Sequence, residues 1–352
     1  MEGRASLAVA ALSMSLALAG CTNIGAQRLA IDRSDYATHL RETNKEQLLL
    51  NIVAMRYGDA PLFLEVSSVI SQYTREGALR GDLTLDPPGD DSIGGVSASM
   101  LLRETPTITY TPLAGDHFSR SLLAPIPPAS ILAMIESGWS SDYLFRLAVR
   151  SINGVRNGGH DPLFAQEADP EFVEVVAAIG RLQQSRGLVL HVSHAEQGGF
   201  SAMARMPATL SAQQQGDLEY LVRTLGLPGD RRPELRIVFA SDQTAPGQLA
   251  IGSRSMLEIF SEIAQGVDVP AEDEAGRAVP PAHRVVDPLV RIHSGRSRPA
   301  DAHVAVRYRG HWFWIDGQDS VSKRTFLIAQ ILLSLNDTSG NANAPLVTVP
   351  TG

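Results

Sequence analysis

The chain has 352 residues, a formal net charge of −8, 44% hydrophobic and 19% charged residues, and one cysteine. This composition is that of a globular protein, its mild acidity supplies no global attraction for nucleic acid, and a single thiol excludes internal disulfides, thiolate metal sites and redox pairs. The N-terminus runs apolar from Ala5 to Ala19, interrupted only by Ser6, Ser13 and Ser15. Roughly 15 apolar residues are too few for a hydrocarbon core, which takes about 20, so residues 1–20 read as a secretory signal peptide. Beyond them no stretch approaches ~18 uninterrupted apolar residues, and no further transmembrane helix is expected.

The run closes on Leu18-Ala19-Gly20-Cys21, which resembles the bacterial lipobox. The resemblance implies cleavage after Gly20, a thioether from the Cys21 sulfur to diacylglycerol, and acylation of the new amine by a chain such as palmitate. Several acyl chains hold where one is marginal, since each buried CH2 contributes ~0.8 kcal/mol. Thr22, not Asp, follows the cysteine; in such lipoproteins this implies export to the outer membrane, with the body in the periplasm. The alternative is a plain secretory peptide that leaves Cys21 unpaired. The phrases "EQLLLNIV", "VSSVISQYT", "PTITYTPL" and "FWIDGQDSVSKRTF" are similar to those of uncharacterised Gram-negative lipoproteins, and they are scattered over most of the mature chain. That resemblance implies one shared architecture and carries no activity.

Residues 21–42 are then an acylated, polar tether. A helix is expected from Thr43, which can cap with Glu46 three residues on. Leu48, Leu49, Ile52, Val53 and Met55 form its apolar face, and Gly58 ends it. Four β-like stretches follow between Leu62 and Leu113, Val96, Ala98 and Met100 alternating with Ser97 and Ser99. "DPPGDDSIGG" is a turn between two of them. Helices are expected at 116–123, 128–136 and 141–152, and Asn153–Pro162 reads as a linker. The body therefore divides into an N-terminal region, 43–153, and a C-terminal region, 163–352. In the latter, helices over 170–187, 212–225 and 256–264 mix with strands "LVLHVS", "ELRIVFA" and "QLAIG". A loop, "DVPAEDEAGRAVPPAH", reads as too polar and Pro-rich to pack. A hairpin, a helix over 319–335 and a strand "PLVTVP" end the chain. Helices and mostly antiparallel strands mix without βαβ order, which makes the fold α+β.

In the hairpin "VAVRYRGHWFWI", Arg309-Gly310 suits a two-residue turn. That register pairs Tyr308 with His311, Val306 with Phe313, Val304 with Ile315, and Arg307 with Trp312 in reach of a cation–π contact.

Candidate chemistry is sparse. His191 and His194 fall on a strand, where period two points them to opposite faces and argues against a metal pair. Ser201 lacks Gly-x-Ser-x-Gly spacing, and Gly94-Gly95 lacks a phosphate-loop lysine. Asp90-Asp91 and Glu272-Asp273-Glu274 read as solvated acids. The nine histidines are dispersed; His160-Asp161 and His283 to Asp287 supply possible bases and acids, but any chain with nine histidines offers such pairs, so no catalytic residue, metal ligand or cofactor is assigned. The distinctive segment is Arg284–Trp314. Arg296, Arg298, Arg307, Trp312 and Trp314 could meet an anionic glycan or lipid, or could be ordinary strand packing.

Three roles remain open. One is a lipid-anchored structural or accessory protein with an envelope protein partner, the second a binding module for an anionic glycan or lipid, the third a periplasmic hydrolase. The sequence favours a non-enzymatic role.

Overall fold

The polar stretch expected to be a tether is helical. The computed structural model describes residues 24–82, 95–160, 165–166, 168–194, 200–228, 235–239, 245, 247–274, 276, 278 and 288–336, and in it α1 runs unbroken from Ile24 to Arg56. Thr43 does not cap. Its hydroxyl donates to the His39 carbonyl one turn back, at 2.6 Å, so the residue is satisfied inside a helix. Gly58, at φ 79°, ends α1 as expected: its N–H donates to Met55 O, and that of Asp59 to Ala54 O.

In chain order follow β1 (Leu64–Asp82), β2 (Gly95–Pro112), α2 (Gly115–Phe118) running into a π turn (Ser119–Leu123), α3 (Pro128–Glu136) and α4 (Ser141–Ala148). Next come β3 (Val149–Ile152), β4 (Val155–Arg156), β5 (Gly159–His160), β6 (Ala165–Gln166), α5 (Pro170–Gln184), β7 (Val189–His194), β8 (Phe200–Arg205), α6 (Ala212–Thr224), β9 (Leu235–Phe239) and β10 (Gln248–Ser253). The chain continues with α7 (Met256–Ala264), α8 (Ala271–Glu274), β11 (His293–Gly295), β12 (Ala302–Tyr308), β13 (His311–Asp316) and α9 (Ser320–Asn336). The fold is α+β. Among the described residues no helix is long and apolar enough to cross a membrane. The signal peptide, Cys21, Asp90-Asp91, His283, Arg284 and "PLVTVP" lie outside the described residues.

Two compact units divide the chain: Met1–Asp59 with Ile263–Pro280 and Val285–Phe326, and Ala60–Glu262 with Pro281–Arg284 and Leu327–Gly352. In the first, α1 lays Leu48, Leu49, Ile52 and Val53, all buried, toward the core and packs on β12. Val304, Val306, Phe313 and Ile315 supply the sheet side, with Phe313 and Ile315 fully buried. Each such side chain contributes ~1.5–3 kcal/mol through removal from water. The start of α9 is fixed by Asp319, whose Oδ1 accepts the N–H groups of Val321 and Ser322 at 3.1 and 3.0 Å, a standard satisfaction of orphan helix donors.

The second unit holds a six-stranded sheet in the order β4-β3-β10-β9-β8-β7, antiparallel except for β10 against β9. Phe172, Val175, Val176 and Leu182 of α5 are buried, as are Ile259 and Phe260 of α7. α6 starts with a reciprocal capping box between Ser211 and Gln214.

Three local readings are corrected here. The helix expected over 141–152 stops at Ala148, and Val149–Ile152 becomes a strand paired with β10. Val149 and Ile152 are β-branched and buried, and pairing with the edge of β10 completes the choice. The expected linker at Asn153 is packed into the unit. Asn153 Nδ2 donates to Leu225 O at 2.8 Å while its Oδ1 accepts from Ala250 N at 2.6 Å. Asn157 Nδ2 donates to the carbonyls of Arg146 and Val149 at 2.9 and 2.7 Å. Finally, the four β-like stretches between Leu62 and Leu113 are two continuous strands, of 19 and 18 residues, pairing only with each other among the described strands.

Buried Arg254 is the main polar feature of this unit. Its guanidinium donates to Arg146 O and Leu147 O at 3.0 and 3.1 Å, to Asn157 O at 3.1 Å and to Gly158 O, with Glu262 3.6 Å away. Burial lowers its pKa, partly offset by Glu262 and Glu258.

Candidate functional site

The β12–β13 hairpin sits in the first unit and has the register that its sequence specifies. Arg309 and Gly310 adopt φ 45° and 90°, the two positive values of a tight hairpin turn. Tyr308 pairs with His311, Arg307 with Trp312, Val306 with Phe313, and Val304 with Ile315. β11 adds a third strand, placing His293 opposite Trp314 and Gly295 opposite Trp312. Alternation then separates two faces. Val304, Val306, Phe313 and Ile315 point to the core, and Arg307, Trp312, Trp314 and His293 share the other face, all partly or fully exposed.

Close packing shapes this outer face. A Cβ at Gly295 would lie 3.3 Å from the six-membered ring of Trp314, so glycine lets the indole approach the strand. The His293 ring is 5.7 Å from that of Trp314, and its Nδ1 is 3.2 Å from Asp268 Oδ2. The cation over Trp312 is Arg298, at 5.3 Å, and not the expected Arg307. Arg307 keeps its register position opposite Trp312 and is exposed. Arg298 comes from the loop before β12, and that loop's course has no signature at hairpin range. Arg296 reaches Glu272 at 3.4 Å while remaining 82% exposed. Arg298 and Arg307 have no carboxylate partner among the described residues.

The core face leads to a polar cluster that sequence reasoning missed. Glu272-Asp273-Glu274 was expected in a solvated loop, yet it forms α8 and Asp273 is buried. Tyr57, from the end of α1, donates its hydroxyl to Asp273 Oδ2 at 3.0 Å. Burial, then the bond to Asp273, push the Tyr57 hydroxyl well above its ordinary pKa, so it is held as a donor and not as a base. His311 Nε2 lies 2.7 Å from Glu272 Oε1, and its buried Nδ1 lies 4.0 Å from Asp273 Oδ2. Nearby, Asp59 accepts from Tyr308 and from Arg309 at 2.9 Å, and these bonds hold its carboxyl below the usual range. Arg309 also stacks over Tyr57 and Tyr308, at 5.2 and 5.6 Å. No local signal could announce this cluster, because Tyr57 and Asp273 stand 216 positions apart.

Chemically, the cluster ties α1 and α8 to the hairpin through charge-assisted bonds. The outer face offers two flat indoles and the guanidinium groups of Arg298 and Arg307, which have no carboxylate partner among the described residues, a combination suited to an anion carried on an apolar or sugar framework. The other sequence candidates lie elsewhere. His191 and His194 fall on β7 and Ser201 on β8, within a strand and not on a turn. Among the described residues no three His, Cys, Asp or Glu side chains group as metal ligands do. Comparison with protein-family models, with curated proteins and with solved structures finds no match for this chain.

Proposed function

We propose that the protein is an envelope lipoprotein, anchored at the outer membrane through acylated Cys21 with its body in the periplasm, and that it serves an accessory role by binding and not by catalysis. Its ligand is an anionic glycan or lipid headgroup, taken by the outer face of the β11–β13–β12 sheet. One observation supports this reading: Arg298 lies over Trp312 and Arg307 stands opposite it in the register, beside Trp314, and neither arginine has a carboxylate partner among the described residues. A guanidinium that no carboxylate neutralises keeps its attraction for phosphate, sulfate or carboxylate, and an indole face accepts acyl or sugar CH groups.

The test uses the chain's three tryptophans. Trp139→Phe leaves emission from Trp312 and Trp314 alone. Phosphatidylglycerol vesicles and dextran sulfate are titrated against phosphatidylcholine and neutral dextran. Arg298→Ala with Arg307→Ala should weaken the anionic response about tenfold or more, and added salt should weaken it too. Equal responses to neutral and anionic probes, or indifference to the double substitution, would overturn the reading. A response to vesicles alone identifies lipid as the source, and one to polysaccharide alone identifies glycan.

A further inference from the structure

Beside Trp314 stands a polar pair that an anionic charge on the ligand does not explain. His293 Nδ1 lies 3.2 Å from Asp268 Oδ2, and the two side chains are 33% and 60% exposed, so a ligand can reach both. Main chain holds the pair in place. Residues 266–268 run beside the start of β11, where Val267 bridges Ile292 in parallel. Ile292 N–H donates to Gly266 O and Asp268 N–H to Ile292 O, both at 2.8 Å. This approach needs glycine at 266, since a Cβ there would lie 1.9 Å from Val290 O. Asp268 is thereby fixed against the residue that precedes His293, and the register of β11 sets His293 opposite Trp314.

The hydrogen-bonding capacity of the pair is specific. A carboxylate offers only acceptors, so the hydrogen between the two groups belongs to Nδ1. In the uncharged ring Nε2 is then a bare acceptor, and it has no partner among the described residues. A phosphate or sulfate oxygen, itself an acceptor, has no hydrogen to give it. An alkyl chain laid over the pair would strip Nε2 and Asp268 of water and return nothing. A sugar hydroxyl meets the need: it donates to Nε2 or to the carboxylate, while the CH face of the same ring rests on the indole. The imidazole and indole centroids are 5.7 Å apart, close enough for one sugar residue to touch both.

We infer that the ligand of this face is an anionic polysaccharide and that the Asp268–His293 pair reads its hydroxyl groups. Trp314 takes a sugar ring, and Arg298 and Arg307 take the charged substituents. The inference rests on the binding face proposed above and narrows its ligand from two sources to one.

The test titrates two polyanions against the full chain in the Trp139→Phe background. Dextran sulfate keeps free sugar hydroxyls, and poly(vinyl sulfate) carries sulfates on a hydrocarbon backbone without any. At matched sulfate concentration and salt, the parent chain should prefer dextran sulfate about tenfold or more. His293→Phe keeps a ring against Trp314 and removes both nitrogens. It should lower that preference about tenfold and leave poly(vinyl sulfate) binding within about twofold, which also shows that the variant is folded. Asp268→Asn, which no longer fixes the tautomer, should lower the preference as well. Arg298→Ala with Arg307→Ala should instead weaken both polymers together and leave the preference in place. Equal affinity of the parent chain for the two polymers would overturn the inference and leave the anionic face standing. So would a preference that survives both His293→Phe and Asp268→Asn, or a matched loss of both polymers in these variants. A response to phosphatidylglycerol vesicles with none to dextran sulfate would overturn it in favour of lipid. Binding of neither polymer nor vesicle would overturn the binding face itself, and this inference with it.

Discussion

Replacing Tyr57 by Phe tests the buried cluster of the first unit at both neutral and alkaline pH. At pH 7 the substitution removes one donor from a buried carboxylate. A bond to a charged group is worth ~1.5–3 kcal/mol, and Asp273 keeps other interactions, so a loss of about 2 kcal/mol is expected. The pH dependence is more discriminating. Tyr57 has its pKa raised in the folded chain, so its contribution is complete below the unfolded value near 10 and is lost as pH rises beyond it. With the folded hydroxyl still protonated, one such group forfeits RT ln(1 + 10) at pH 11, about 1.4 kcal/mol. The Tyr57→Phe chain has no proton to lose at this position. The 2 kcal/mol gap should therefore shrink to well under 1 kcal/mol by pH 11. Urea unfolding of both chains in a Trp139→Phe background, followed through Trp312 and Trp314, reads this unit directly. A gap that stays constant from pH 7 to pH 11 would refute the claim that Tyr57 is held protonated by burial and Asp273.

Phe313→Ala should cost ~3–5 kcal/mol, because the ring is fully buried and packs edge-on to Tyr57 at 6.1 Å; a loss under 1 kcal/mol in urea unfolding would contradict the hairpin's core face. Gly295→Ala should shift the emission of Trp314, since the new Cβ lies 3.3 Å from its ring, and an unchanged spectrum would mean the indole is not seated there. Cys21→Ser should abolish incorporation of labelled palmitate and leave unprocessed chain; label on the substituted protein would refute acylation at Cys21.

Short-range pattern determined a good deal of this protein. The α+β class, α3 from Pro128 to Glu136, the apolar faces of α5 and α7, and the full register of the β12–β13 hairpin follow from residues within one turn or one strand of each other. Period and turn chemistry are local, and they survive without knowledge of the rest of the chain. Polarity misled where it was used as a proxy for exposure. The stretch before Thr43 is polar and helical, and Asp273 is acidic and buried, because a hydroxyl can be satisfied by its own helix and a carboxylate by a distant tyrosine. Tertiary structure alone decided that Tyr57 meets Asp273, that Arg298 instead of Arg307 covers Trp312, that Arg254 is enclosed by four carbonyls, and that Asn153 bridges Leu225 and Ala250. Each joins segments far apart in sequence or set by a loop's path. Such contacts form only when burial brings unlike backbone and side-chain groups together and each needs a partner, and that requirement leaves no periodic trace along the chain.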